Sequence, residues 1–251
     1  MIKAKKKFGQ NFLTNPKISN TIIKSANLNK NDVVLEIGAG TGILTQKAAS
    51  EVQKLYTVEI DQDLIPLLKV NLKNSENVEI LNRDILQIEI GKYNKNKNLK
   101  ILGSIPFQIT SPLLHKLIEE NCWEVAVLLI QKEVADKITA KPPQANYLSI
   151  FTATYVNANK IKNVPRTAFE PQPQVDGAIV KLEPIERTTI NPQKWSTFLH
   201  LGFKQPRKML RNIFPETQLR KAEIEPQARP QQLTIDNWLD LYQTVENISR
   251  S

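Results

Sequence analysis

The sequence of 251 residues contains one cysteine, two histidines and no long hydrophobic run. The single cysteine, Cys122, can form no internal disulfide and leaves a cysteine-based zinc cluster without ligands. The histidines, His115 and His200, are far apart in the sequence, and we interpret both as packed or surface residues rather than metal ligands. We therefore expect neither a metal site nor a disulfide-stabilised scaffold.

Long apolar segments are also missing. The longest apolar run, Val125–Ile130, has the length of a buried strand and is far shorter than the roughly 20 residues of a membrane-spanning helix. The N-terminus is basic without an apolar signal segment, and the seven residues before Phe8 are too few for an organellar transit peptide. We expect no membrane association, and a location in the cytoplasm, or in an organelle matrix or stroma if the chain is organelle-encoded or processed.

Acidic residues are scarce at two places in the chain. The formal net charge is +9, yet residues 31–186 are close to neutral. Residues 1–30 carry seven lysines and no acid, and residues 187–221 carry eight basic residues and one acid. Scattered cations can simply keep a protein soluble, but clustered cations favour a polyanion, because they release counterions from a phosphate backbone. The charge pattern therefore favours a nucleic-acid partner.

Strand-like and helix-like segments alternate from about residue 16 to residue 140, which predicts an α/β fold with a mostly parallel sheet and helices on both faces. The predicted strands are Val33–Ile37, Leu55–Ile60, Val78–Leu81, Lys100–Leu102 and Val125–Ile130. The predicted helices are Pro16–Ala26, Ile43–Ser50, Leu64–Leu72 and Pro112–Glu119.

The pattern changes after Thr139. A helix near Tyr147–Tyr155 precedes two β-rich stretches that flank an extended, Pro- and Gln-rich loop at Pro165–Val175. Three further helices are predicted at Gln193–Phe203, Pro206–Phe214 and Thr234–Asn247, the last with Thr234 as N-cap. We therefore predict two domains, residues 1–186 and a small helical domain of residues 187–251.

A glycine-rich turn follows the first strand of the series. Gly38, Gly40 and Gly42 lie between Val33–Ile37 and a helix, where glycine allows the backbone to approach a ligand closely. A dinucleotide fingerprint needs its third glycine where Ile43 stands, so the spacing instead resembles that of class I S-adenosylmethionine (SAM) methyltransferases.

Two acids follow the next two predicted strands. Glu59 lies 21 residues after Gly38, where a carboxylate can accept both ribose hydroxyls of an adenosine-containing ligand. Asp84 follows the third strand, where an acid fits hydrogen bonding to the adenine amino group of SAM. The glycine spacing and the two acids together predict a SAM site at the carboxyl ends of the strands.

The fourth strand leads into Ser104-Ile105-Pro106-Phe107. This tetrad resembles the [NDS]-[PIL]-P-[YF] element of methyltransferases that act on planar nitrogens. The N6 lone pair of adenine is delocalised into the ring, so acceptors for its two N–H bonds favour a more nucleophilic geometry. An aromatic ring can stack on the base and hold it out of a helix.

Eight short motifs follow one another between residues 8 and 242. They are Phe8–Leu13, Glu36–Gly42, Val58–Asp61, Gln131–Val134, Pro165–Asp176, Phe203–Asn212, Arg229–Leu233 and Trp238–Tyr242. Together they resemble the signature of the KsgA-type rRNA adenine dimethyltransferases. The sequence departs from the usual family pattern by having Ser104 where most members have Asn, Phe107 where Tyr is commoner, and Gly177 where Ser is usual.

The resemblance implies a Rossmann-like class I SAM-dependent methyltransferase domain with a small helical C-terminal domain. It implies N6-dimethylation of two adjacent adenosines near the 3′ end of small-subunit rRNA, with SAM as the cofactor and an assembling ribosomal subunit as the partner of a monomeric enzyme. The implied SAM-site residues are Asn11, Leu13, Gly38, Gly40, Glu59, Asp84 and Ser104. The implied catalytic residues are Ser104 and Pro106, with Phe107 and Phe169 stacking on the target adenine. The implied RNA-binding residues are Lys204, Arg207, Lys208 and Arg211.

Alternative functions stay open on the sequence alone. An Erm-type enzyme, which methylates an adenine of large-subunit rRNA, would share the SAM site and the loop that carries Phe169. A weakly catalytic or non-catalytic RNA-binding assembly factor is compatible with Ser104, whose oxygen lies closer to the backbone than that of Asn. A DNA adenine methyltransferase agrees less well, because the substrate loop and C-terminal segment match the rRNA enzymes.

Overall fold

The computed structural model describes residues 4–5, 8–94, 98–186 and 189–249, with the side chains of Phe107 and residues 247–249 outside that set. The described strands are β1 Phe12–Leu13, β2 Val33–Ile37, β3 Lys54–Val58, β4 Val78–Leu81, β5 Leu99–Ser104, β6 Val125–Gln131, β7 Val156–Val164, β8 Phe169–Glu170 and β9 Gly177–Pro184. The described α-helices are α1 Pro16–Ala26, α2 Ile43–Ala49, α3 Ile65–Asn71, α4 Thr110–Glu120, α5 Lys132–Ile138, α6 Tyr147–Tyr155, α7 Pro192–Phe203, α8 Glu216–Lys221 and α9 Ile235–Ser249. None of the described helices is long and apolar enough to cross a membrane.

The central sheet has the strand order β4-β3-β2-β5-β6-β9-β7. Strands β4, β3, β2, β5 and β6 run parallel, and β9 pairs antiparallel with β6. Apart from the sheet, β1 and β8 form an antiparallel pair with Leu13 opposite Phe169. The predicted α/β fold with a mostly parallel sheet is confirmed, and the carboxyl ends of β2, β3, β4 and β5 are brought to one edge, where ligands bind in open α/β sheets.

Short apolar runs become the inner strands because parallel strands are covered on both faces. In β6 every residue from Val125 to Ile130 is buried. The helices follow an amphipathic pattern instead. In α1, Asn15 caps the N-terminus by accepting from Lys17 N at 2.9 Å, and Ile18, Ile22 and Ala26 form the buried face at four-residue spacing.

A buried ion pair allows a lysine to lie in the central strand β5. Lys100 Nζ lies 2.9 Å from Asp32 Oδ2, with both side chains about 4% exposed, and donates to the carbonyl oxygen of Asn27 at 2.8 Å. Asn29 donates to Asp32 through its backbone N–H and its side chain. Removing either side chain would leave the other charge buried without its opposite charge, which destabilises the fold strongly.

The chain divides into two compact units. The first contains residues up to Ala135 together with Asn157–Pro184, and the second contains Asp136–Val156 and the chain from Ile185 onward. Our sequence-based boundary at residue 186 assigns residues 136–156 to the first domain, whereas they cluster with the C-terminal helices. Helix α6 packs on α7 and α9, and its Thr154 hydroxyl accepts from the Trp195 indole at 3.1 Å, so local packing rather than chain order defines the unit.

The predicted helix at Pro206–Phe214 is wrong. Residues 205–208 form a turn closed by Lys208 N donating to Gln205 O at 2.9 Å, and only Leu210–Asn212 form a 3₁₀ turn. Leu210 N donates to Ala228 O at 2.8 Å and Arg211 N to Pro226 O at 3.1 Å. These long-range partners take the N–H groups that a helix would need. Helices α5 and α8 were not predicted, since both are short and lack a full apolar repeat.

Helix α7 contacts the side chain of Trp238 at Gly202. A Cβ atom built on Gly202 would lie 2.3 Å from Cη2 of Trp238, which is fully buried. Around this contact, Trp195, Phe198 and Tyr242 pack with ring centroids 5.1–5.8 Å apart. Glycine is therefore required here by space rather than by backbone conformation.

Replacing Gly202 with Ala should destabilise the protein, although alanine favours a helix over glycine by about 1 kcal/mol. Overpacking against an aromatic ring costs about 1–3 kcal/mol. After the gain in helix propensity is subtracted, we expect a net loss of roughly 1 kcal/mol in the free energy of unfolding, measured by urea denaturation. Thr197→Ala, on the exposed face of the same helix, should change it by less than about 0.5 kcal/mol. Equal or greater stability for Gly202→Ala would contradict this account.

Candidate active site

A cavity of about 250 Å³ opens at the carboxyl edge of the sheet. Its walls come from the N-terminal segment Phe8–Leu13, from the loops that follow β2, β3, β4 and β5, and from β8. The sequence-predicted residues that line it are Asn11, Leu13, Gly38, Gly40, Glu59, Asp84, Ser104, Pro106 and Phe169. The structure thus brings the glycine turn, the two acids and the tetrad after β5 to a single cavity.

The glycine turn is held against the neighbouring strands on both sides. Gly38 N donates to Val58 O at 2.9 Å, and Ala39 N donates to the same oxygen at 3.2 Å. Gly38 has a φ of +78°, and a Cβ there would lie 2.9 Å from the carbonyl oxygen of Ser104. Only glycine satisfies both the left-handed conformation and this close approach. The turn after β2 therefore lies directly beside the tetrad after β5.

Glu59 is buried at the end of β3 and bonds to two backbone groups. Its Oε2 accepts from Gly40 N at 2.9 Å, and its Oε1 accepts from Asp61 N at 2.8 Å. Burial raises the pKa of Glu59, and these two N–H donors oppose the rise by favouring the carboxylate. Each carboxylate oxygen can accept more than one hydrogen bond, so both can still receive hydroxyl donors from a ligand.

Asp84 follows β4 and begins a 3₁₀ turn at Ile85–Gln87. Its Oδ1 accepts from Leu86 N at 2.9 Å, which fixes the side chain at the cavity wall and engages one of its two oxygens. The half-buried Ser104 ends β5, and the next backbone N–H, that of Ile105, donates to Leu129 O at 2.9 Å. Pro106 then caps the 3₁₀ turn Phe107–Ile109. The side chain of Phe107, predicted to stack on adenine, lies outside the described residues.

Phe169 reaches the cavity wall but exposes only 3% of its surface. A Cβ on Gly177 would lie 3.4 Å from its Cζ and 3.1 Å from Leu129 Cδ1, so the ring rests in a space that glycine keeps open. A base stacks on the face of a ring, and in this conformation little of the face is accessible. Sequence reasoning placed Phe169 near the site but gave no indication of this burial.

A third acid, Glu36, lies in β2 just before the glycine turn and is fully buried. Thr57 Oγ1 donates to Glu36 Oε2 at 2.7 Å. Burial raises the pKa of Glu36 to about 7, against the opposing effect of the hydroxyls of Thr45 and Thr57, and the charge of Glu59 raises it further. Glu36 therefore keeps its proton to a higher pH than an exposed glutamate does.

Cavity-lining residues that sequence reasoning missed include Phe12, Arg83 and Gln108. Phe12 packs on Gly40, with its Cδ1 3.2 Å from where a Cβ would be, and Gln108 lies beneath Gly9. Each of the three is next in sequence to a predicted site residue. Their place within the motifs could therefore have indicated them, whereas their residue types could not.

The four predicted RNA-binding residues belong to the second compact unit. Lys204 caps the end of α7, Arg207 and Lys208 lie in the following turn, and Arg211 lies in the 3₁₀ turn Leu210–Asn212; all four are exposed. The structure thus groups them within a short exposed segment. Among the described residues, no cluster of His, Cys, Asp or Glu is arranged to hold a metal.

Comparison with known proteins indicates the same kind of site as the cavity does. A family model described as "Ribosomal RNA adenine dimethylase" matches residues 1–247. This chain belongs to the ribosomal RNA adenine dimethylase family. Enzymes of this family are methyltransferases that use SAM. The cavity fits that cofactor, since the glycine turn and two acids, Glu59 and Asp84, line the same space.

Individual known proteins match over nearly the full chain. A "Ribosomal RNA small subunit methyltransferase A" from Nostoc punctiforme is 37% identical, covering 96% of this chain and 94% of the relative. A dimethyladenosine transferase from Plasmodium falciparum superposes with a TM-score of 0.85 at 28% identity, covering 95% of this chain and 98% of that one. The 23S rRNA methyltransferase ErmE superposes with a TM-score of 0.75 at 26% identity, covering 94% and 100%.

The buried Glu36 should make stability depend on pH. Because its folded pKa of about 7 lies above the ordinary value of 4.5, the folded chain keeps a proton that the unfolded chain releases, and stability falls as pH rises between these values. Between these two pH values, the contribution of Glu36 to the free energy of unfolding should fall by about 3 kcal/mol. Glu36→Gln should remove this part of the pH dependence, measured by urea unfolding at about pH 5 and about pH 8.

The exposed Glu51 provides the control for this experiment. Glu51→Gln makes the same chemical change on the surface, so any effect of the Glu-to-Gln exchange that does not depend on burial will show in this variant as well. A Glu36→Gln protein with an unchanged pH dependence would show that Glu36 is already ionised in the folded state.

Proposed function

We propose that this protein uses SAM to dimethylate N6 of two adjacent adenosines near the 3′ end of small-subunit rRNA. The observation that carries the proposal is the close approach of the glycine turn to the tetrad, with Gly38 facing the Ser104 carbonyl oxygen. A cofactor over the turn and a base at the tetrad would therefore be neighbours in one cavity. We further propose that the protein acts as a monomer on an assembling subunit, in the cytoplasm or in an organelle that assembles ribosomes.

The cofactor supplies an electrophilic methyl carbon when it is bound. Glu59 would hold the ribose hydroxyls, and Asp84 would accept from the adenine amino group of the cofactor. Asn11 and Leu13 would form a further part of the cavity wall around the cofactor. Gly38 and Gly40 would allow the backbone to lie close to its methionine portion. The positions of these side chains around one cavity support the proposed roles.

The residues after β5 would act on the target base. The side-chain oxygen of Ser104 and the carbonyl oxygen before Pro106 would accept the two N6–H bonds and direct the nitrogen lone pair out of the ring plane, while Phe107 and Phe169 would stack on the base. The catalytic contribution of the chain is then mainly positioning of the nitrogen in line with the methyl group. The burial of Phe169 means that its ring must turn toward the cavity to stack.

The helical unit would supply affinity for RNA. Lys204, Arg207, Lys208 and Arg211 are exposed cations in one segment, as expected for contacts to phosphates rather than to base edges. The Erm-type alternative is not favoured, since near-full-length relatives are named as small-subunit enzymes, as in Nostoc punctiforme and Rippkaea orientalis. Those names equally disfavour a purely binding role.

The purified protein should transfer methyl groups from labelled SAM to unmethylated small ribosomal subunits, giving N6-dimethyladenosine at adjacent positions by mass spectrometry. Large subunits tested in parallel should receive none. Transfer to large subunits alone would support the Erm-type function, and binding of SAM and RNA without transfer to either subunit would support an assembly factor.

Ser104→Ala serves as the matched variant for this assay. It should lower the rate of transfer by about 100-fold, as the loss of one positioned hydrogen-bonding group does, while SAM still binds. A Ser104→Ala rate equal to that of the unsubstituted protein would remove Ser104 from the catalytic residues.

Replacing Arg207, Lys208 and Arg211 with Gln should weaken RNA binding and leave SAM binding unchanged. The slope of log affinity against log salt concentration should become shallower by about 0.7–0.9 for each phosphate that the variant no longer neutralises, measured by titration of an rRNA fragment. The double variant Lys69→Gln, Lys73→Gln is the control. It removes two exposed cations from residues 31–186, the part of the chain that is close to neutral, and should leave the slope unchanged. An unchanged slope for the triple variant would show that this segment does not bind RNA.

A further inference from the structure

Asp61 is a buried acid that borders the cavity region without lining it. It lies two residues after Glu59 and is 2% exposed, yet it is absent from the cavity wall. A buried carboxylate is retained only when its charge is matched by donors. The partners of Asp61 therefore show what the residue does.

The carboxylate of Asp61 contacts the N-terminal segment at two points. Lys5 Nζ donates to Asp61 Oδ1 at 2.6 Å, and Gln10 Nε2 donates to Oδ2 at 2.7 Å. The two N-terminal residues are also joined directly, since Lys5 N donates to Gln10 Oε1 at 2.8 Å. Burial disfavours the charge, but the bonds from Lys5 and Gln10 hold the pKa of Asp61 below its ordinary value, so it is ionised at neutral pH.

The backbone of Asp61 contacts the ligand side of the site at the same time. Its N–H is the donor that binds Glu59 Oε1 at 2.8 Å. One residue thus joins Glu59, the proposed ribose-binding acid, to the N-terminal segment, which lines the same cavity. From Gln10 that segment continues along the cavity to Leu13, which pairs with Phe169 in β8. The segment is therefore fastened at both ends, to Asp61 and to β8.

We propose that Asp61 is a positioning residue, which with Lys5 and Gln10 clamps the segment Gln10–Leu13 over the cavity so that SAM meets an ordered wall. The proposal rests on the proposed function, because it takes this cavity as the SAM site. Ordering the segment before binding removes an entropic cost from the binding step. Without the clamp, cofactor binding would itself have to order the segment.

Asp61→Asn tests the clamp with little other change. Asp61 Oδ1 also accepts from Asp63 N at 3.2 Å to cap a 3₁₀ turn, and Asn caps as well as Asp does. The backbone N–H to Glu59 is unchanged. What is lost is the negative charge, and an amide group then faces the donors of Lys5 and Gln10. We expect the Kd for SAM, measured by titration calorimetry, to rise about tenfold, as for the loss of one charge-assisted hydrogen bond.

The protein without cofactor gives a second measurement. Amide hydrogen exchange over residues 8–14 should be faster in Asp61→Asn than in the unsubstituted protein, while exchange in β2 and β5 stays the same. If Asp61 only stabilised the fold in general, the substitution would speed exchange in residues 8–14 and in β2 and β5 together. Lys5→Ala, a substitution of a half-buried residue, should act in the same direction and also serves if Asp61→Asn does not fold, whereas Lys5→Arg should retain most of the affinity.

Asp63→Asn is the matched control. Asp63 also lies 2.6 Å from Lys5 Nζ, but its side chain is 74% exposed. It should change the Kd for SAM by less than about twofold, because an exposed ion pair contributes little. Equal SAM affinity and equal exchange in Asp61→Asn and the unsubstituted protein would overturn the clamp, as would an equally large effect of Asp63→Asn. Failure of the unsubstituted protein to bind SAM would instead refute the proposed function, with the exchange experiment still deciding whether the clamp exists.

Discussion

The carboxylate of Glu59 is the point on which the geometry of the cavity depends. Its two oxygens hold the N–H of Gly40 on one side and that of Asp61 on the other, so a single side chain fixes both the glycine turn and the loop after β3. Gly38 in turn contacts the exit of β5, and Asp61 holds the N-terminal segment. Because each loop is oriented by the next, the site is a connected set of backbone and side-chain hydrogen bonds rather than a collection of independent residues.

This arrangement also accounts for the distribution of buried charge. Glu36 and Glu59 lie close enough for the charge of one to raise the pKa of the other, and only Glu59 has two backbone donors. The acid with N–H partners faces the cavity, where a carboxylate can accept from a ligand. The other faces the interior beside Thr57, where a neutral form is tolerated. Glutamate thus has two different environments at neighbouring positions of the sheet: Glu36 is buried within β2, and Glu59 faces the cavity directly after β3.

Much of the fold was predictable from the sequence because its signals are local. The apolar runs at Val33–Ile37 and Val78–Leu81 became strands with the predicted bounds, and Asn15-Pro16 began a helix that ends at Ala26. The meeting of Gly38, Glu59 and Ser104 in one cavity followed from parallel strand ends. The absence of a helix at Pro206–Phe214 was not predictable, since it depends on the distant carbonyls of Pro226 and Ala228. The Asp61 contacts and the burial of Phe169 likewise depend on residues that are far apart in the chain, and the ligand roles of the site residues stay predictions.

The short pair of strands β1 and β8 has a thermodynamic consequence. It places Leu13, on the wall proposed for the cofactor, opposite Phe169, in the loop proposed for the target base. Thr14 N and its hydroxyl both donate to Ala168 O, so the two segments share hydrogen bonds beyond the pair itself. When two ligands each favour the ordered state of one shared element, their affinities are coupled. By reciprocity, the factor by which cofactor strengthens RNA binding then equals the factor by which RNA strengthens retention of the cofactor.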